Sequence, residues 1–147
     1  MDRYKTPDFQ TLVIYTDGGA RGNPGPAAAG VYIVDEMSKP IHAIGRFLGF
    51  ATNNEAEYRA LLLAYGWLFE HRHELDDTLQ IEFRMDSELV HRQLTGQYAV
   101  RHPAMKQLWR QVKRNEEALG LPVAYKHIPR IQNKQADRLV NQALDEE

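Results

Sequence analysis

The chain has 147 residues, 43% hydrophobic and 26% charged, which suits one ordinary globular domain that buries its core without covalent staples. It contains no cysteine, which excludes disulfide scaffolds, thiolate zinc sites and cysteine nucleophiles. The net charge of −2 exerts no global pull on nucleic acid, but residues 1–90 hold 8 Lys/Arg against 14 Asp/Glu while residues 91–147 hold 10 against 6.

Residues 1–10 read as a polar lead, and a single domain is expected over 11–147. Thr11 to Thr16 is rich in β-branched and aromatic residues and predicts a first strand. The following DGGARGNPGP is turn-forming and is expected to be irregular. Ala29 to Asp35 and Ile41 to Leu48 predict two more strands, joined by connections short enough for antiparallel hairpins. Asn53 to about Glu74 predicts a long helix, with Ala60, Leu61, Ala64 and Leu68 at helical spacing and a capping box formed by Thr52 and Glu55. Leu79 to Met85 alternates like a half-exposed strand. A short helix then runs to Leu94, and a longer one starts at Pro103 and stops at Gly120. Val123 to Ile128 predicts a fifth strand and Lys134 to Leu144 a last helix. The helical connections after the third strand permit parallel crossovers. The expected fold is therefore α/β, with three antiparallel strands and then two parallel ones in one mixed five-stranded sheet flanked by helices. The longest apolar runs are too short to span a bilayer and no apolar signal core opens the chain, so a soluble, cytoplasmic monomer with no membrane partner is expected.

Four acids fall at the ends of predicted elements. Asp17 and Asp86 end the first and fourth strands; Glu57 and Asp137 lie in the first turns of two helices. Ligands of open α/β sheets gather at the carboxyl ends of strands, so the four could converge there. Each also has a local explanation, whether turn formation, an N-cap or attraction to a helix dipole, and spacing alone does not choose.

Four segments carry a more specific signal. They are YTDGGARGNPGPAAAG at 15–30, TNNEAEYRAL at 52–61, MDSELV at 85–90 and HIPRIQNKQADRLVNQAL at 127–144. In this order and spacing the chain resembles the type 1 branch of the ribonuclease H family, from about Thr11 to Leu144. The resemblance implies a ribonuclease H-like fold and an endonuclease that hydrolyses the RNA strand of RNA/DNA hybrids, leaving 5′-phosphate and 3′-hydroxyl ends. It implies that Asp17, Glu57, Asp86 and Asp137 hold two Mg²⁺ ions, or Mn²⁺ as a substitute, with Asp17 bridging both. Hard oxygen ligands suit those ions. His127 matches a histidine thought to shuttle a proton or help release the product. Asn23, Asn53 and Asn54 match residues that meet the minor groove of the hybrid, and Thr52 one that holds a phosphate of the DNA strand. Two alternatives stay open: a non-catalytic nucleic-acid-binding domain on the same fold, and a 3′–5′ exonuclease of the same superfamily.

The sequence departs from many relatives in two ways. Leu94 to Pro103 is too short for a basic, tryptophan-rich handle, and no N-terminal hybrid-binding module is evident. Lys106, Arg110, Lys113 and Arg114 share one face of the predicted helix, opposite Met105, Leu108, Trp109 and Val112, and are the expected substitute grip on phosphates.

Overall fold

The computed structural model describes residues 10–147, so most of the expected polar lead lies outside the described residues. The strands are β1 (Thr11–Ala20), β2 (Gly25–Asp35), β3 (Pro40–Ala51), β4 (Gln80–Met85) and β5 (Val123–His127). The helices are α1 (Asn53–Glu70), α2 (Glu88–Leu94), α3 (Pro103–Leu119) and α4 (Lys134–Asp145), with 3₁₀ turns at Arg72–Glu74 and Arg130–Gln132. The sheet order is β3-β2-β1-β4-β5. The β1–β2 and β2–β3 pairs are antiparallel; β1–β4 and β4–β5 are parallel. This is the mixed five-stranded sheet expected from the sequence. No helix among the described residues is long and apolar enough to cross a membrane.

Strand alternation sorts the side chains. Leu12 and Ile14 of β1, Val31 and Ile33 of β2 and Phe83 of β4 point to one face, where Tyr58, Leu61, Tyr65 and Leu68 of α1 and Val112 of α3 complete the main core. Helix α4 covers part of the other face through Val140 and Ala143. It packs close because Gly30 has no side chain: a Cβ there would overlap the Ala136 carbonyl oxygen.

Several boundaries differ from the sequence reading, and β3 runs on to Ala51 instead of Leu48. The glycine-rich stretch is mostly strand, not loop, because β1 runs on to Ala20 and β2 begins at Gly25. Gly18, Gly19 and Ala20 pair with Ala29, Ala28 and Ala27, so a ladder of small residues overrides the local turn preference. Helix α1 ends at Glu70 instead of Glu74. The chain tightens to a 3₁₀ turn there, with Arg72 donating to Leu119 O at 3.0 Å and Leu75 O at 3.3 Å.

Candidate active site

The sequence places Asp17 at the end of β1, but the strand runs on to Ala20 and the residue lies within it, two positions past the last residue paired with β4. This part of β1, the start of α1 and the end of β4 bring three carboxylates together. One oxygen from each of Asp17, Glu57 and Asp86 lies within 4.8 Å of the others. Local capping leaves these side chains available. Thr52 Oγ1 accepts the Glu55 N–H at 3.1 Å and Glu55 Oε1 accepts the Thr52 N–H at 3.0 Å, so the box is complete without Glu57. Ser87 Oγ accepts the Val90 N–H at 3.3 Å and caps α2, so Asp86 is not the cap. Asp137, in the first turn of α4, lines the same open cleft of about 360 Å³ but stands outside the close group of three.

Crowding of like charges in a half-dry site has a measurable signature. Burial and then the Asp86 charge push the Asp17 carboxyl up to about 7, with a smaller upward push from Asp137. Burial and the Asp17 charge hold Glu57 well above the usual carboxylate range. Three hard carboxylate oxygens this close together form a donor set that a hard divalent cation satisfies. The chemistry of the residues therefore fits such an ion.

The other expected site residues separate into groups. Asn23 Oδ1 accepts the Asn53 N–H at 3.0 Å, and Asn53 Oδ1 accepts the Ala20 N–H at 2.8 Å. These two asparagines tie the β1–β2 turn to the start of α1. Asn54 is exposed and lines both the acidic cleft and an adjoining groove that also contains Asn23, Thr52, His102 and Met105. His127 is exposed at the end of β5; its Nε2 lies 3.3 Å from Asp86 O, and it does not line the cleft. On α3, Lys106, Arg110 and Arg114 are exposed, whereas Lys113 is turned inward. Its Nζ donates to Leu94 O at 2.7 Å and lies 5.5 Å from the centre of the Tyr125 ring. Helical spacing placed Lys113 with the others, but a long flexible side chain follows the acceptors within its reach.

Two further residues belong to the site: Arg130, which the sequence offered only as a reserve cation beside Lys126 and Lys134, and Asn133, which it left without a role. Arg130, in the 3₁₀ turn before α4, lines the acidic cleft. Asn133 is buried, and its Nδ2 donates to Thr16 O at 2.9 Å and to Asp86 Oδ2 at 3.0 Å. Its signal lay in the N-x-x-A-D segment, where it precedes Asp137 by four positions.

Residues 15–143 match the family described as Reverse transcriptase-like. A ribonuclease HI of Halobacterium salinarum is 40% identical over 133 residues, 90% of this chain and 63% of that protein. The bifunctional protein Rv2228c of Mycobacterium tuberculosis is 38% identical over 144 residues, 91% of this chain and 35% of that protein. The chain thus spans under two thirds of the length of these curated relatives. Among solved structures, LC11-RNase H1 in complex with an RNA/DNA hybrid superposes with a TM-score of 0.86 at 41% identity, over 92% of this chain and 97% of that one. The likeness extends over nearly the whole chain and is shared by sequence and fold, so the chain belongs to the type 1 branch of the ribonuclease H family.

Proposed function

We propose that this chain is an endonuclease that hydrolyses the RNA strand of RNA/DNA hybrids with two divalent cations, Mg²⁺ or Mn²⁺, leaving 5′-phosphate and 3′-hydroxyl ends. The observation that carries the reading is the meeting of Asp17, Glu57 and Asp86 in an open cleft whose rim presents Asn54. The hybrid bound by LC11-RNase H1 supports the choice of substrate.

Asp17, Glu57, Asp86 and Asp137 would hold the cations. When bound, these supply the Lewis acidity that activates water and stabilises charge on the departing oxygen. The protein's own part is positioning. The Gly18 N–H fixes one Glu57 oxygen, and the Asn133 amide fixes one Asp86 oxygen. Ser87 also lines the cleft, but its hydroxyl caps α2, so a serine nucleophile has no support here. Asn54 offers a donor and an acceptor to a 2′-hydroxyl, the group that distinguishes RNA from DNA. The chain is proposed to be a monomer with one domain over 11–147.

The test is incubation of end-labelled RNA/DNA hybrid, duplex DNA and single-stranded RNA with the protein in Mg²⁺, in Mn²⁺ and in chelator. Internal cuts confined to the RNA of the hybrid, bearing 5′-phosphates and lost in chelator, are expected. Binding without cuts in either metal, or stepwise shortening from a 3′ end, would replace this reading.

A further inference from the structure

Asn133 is 1% exposed and lies between two arms of the acidic site. Its Nδ2 donates to the Thr16 carbonyl, next to Asp17 within β1, and to Asp86 Oδ2 just past β4. Both partners are acceptors, so the amide has one workable orientation. The reverse would set Oδ1 against a carbonyl and a carboxylate. In the orientation present, Oδ1 is buried without a hydrogen-bond partner among the described residues. An unpaired buried acceptor is destabilising, and an apolar side chain of similar volume would avoid it only by taking the donor away from the Thr16 carbonyl. The bond to Thr16 serves the fold; the bond to Asp86 Oδ2 adds a link to the acidic site. The backbone of Asn133 adds a third link, because its carbonyl accepts the Asp137 N–H at 3.1 Å in the first turn of α4.

We propose that Asn133 is a positioning residue for the carboxylate cluster, setting β1 at Thr16 and the end of β4 at one spacing and engaging Asp86 Oδ2 so that Oδ1 is left for a cation. It acts through Asp86 and the Thr16 carbonyl. Outer contacts of this kind fix the direction and basicity of a ligand, and their loss weakens metal binding by about 10–100-fold. The inference rests on the proposed function only for the identity of the ion.

Asn133→Ala and Asn133→Asp are checked for folding by circular dichroism. Two quantities are then read: the Mg²⁺-induced rise in melting temperature without nucleic acid, and the Mg²⁺ concentration for half-maximal cleavage of hybrid. Both variants should need about 10-fold more Mg²⁺ or above for each readout, with KM for hybrid at saturating Mg²⁺ near the wild-type value. A lower metal-free melting temperature with wild-type Mg²⁺ requirements would mean that Asn133 only packs, and would overturn the proposal. If neither variant folds, the wild-type protein decides. On titration with Mg²⁺ the ¹⁵N resonance of the Asn133 side-chain amide should shift in step with the Gly18 backbone amide, and a silent Asn133 amide overturns the proposal. A wild-type protein whose Asn133 amide responds to Mg²⁺ but which cuts no hybrid supports the positioning role and refutes the proposed activity alone.

Discussion

Glu57 Oε1 accepts the backbone N–H of Gly18, so the buried carboxylate of α1 is tied to the chain one residue past Asp17. The approach is possible because position 18 has no side chain: a Cβ there would overlap the Ala56 carbonyl carbon and the Glu57 nitrogen. Gly18→Ala should therefore push α1 from β1, destabilising the fold by about 1–3 kcal/mol and disrupting the carboxylate cluster. Urea denaturation and the Mg²⁺-induced melting shift check both effects. An unchanged midpoint would show that α1 yields at no cost.

Asp17→Asn should abolish cleavage yet leave the metal-free protein at least as stable as wild type, because it removes one of several crowded charges. The pH dependence has a definite sign. Asp17 ionises near 3.8 in an unfolded chain and near about 7 in the metal-free fold, so between these values the folded state holds the extra proton. Its effect on stability is then an increasing penalty as pH rises from about 4 to about 7, complete above that. Glu57 acts in the same direction. Melting temperatures of wild type and variant, measured without metal across this range, should diverge in favour of the variant toward high pH. Added Mg²⁺ should raise wild type more than the variant. Parallel pH profiles would show that Asp17 does not carry this penalty.

The neighbouring asparagines should behave differently. Asn53→Ala removes the acceptor of the Ala20 N–H and should cost about 1–3 kcal/mol of stability. Asn54 is exposed at the rim, so Asn54→Ala should leave the melting temperature unchanged and raise KM for hybrid by about 10-fold, the worth of one hydrogen bond to a 2′-hydroxyl. Thermal melts beside steady-state kinetics separate the two roles. A loss of stability in Asn54→Ala without a change in KM would exchange them.

Grip on phosphates is expected from Lys106, Arg110 and Arg114, which are exposed on α3. Replacing all three with Ala should flatten the slope of log affinity against log salt by about 0.9 for each phosphate that the variant no longer neutralises. Lys113→Ala should leave that slope unchanged and reduce stability by about 1 kcal/mol through loss of the bond to Leu94 O. Hybrid affinity over a salt series, with melts of both variants, tests the division. Should the triple variant give lines parallel to wild type, Arg130 at the cleft becomes the next cation to replace.

The sequence by itself determined the order of elements, the capping box at Thr52 and Glu55, and the places of Glu57 and Asp137 early in two helices and of Asp86 just past β4, because periodicity and caps are settled within a few residues. The four motif segments pointed to the family for the same reason: each is a short local pattern. Only the tertiary structure decided which of these groups meet. Asn133 reaches the Thr16 carbonyl across 117 positions and Glu57 reaches Gly18 across 39, distances over which local pattern carries no information. It decided that Asp137 stands outside the group of three, and that Lys113 leaves the basic face for an acceptor at the end of α2. The glycine-rich stretch became strand because its partner, Ala27–Ala29, is small enough to pair beneath two closely packed helices. Side-chain reach and close packing choose among partners that the sequence leaves equivalent, and both exist only once the sheet has formed.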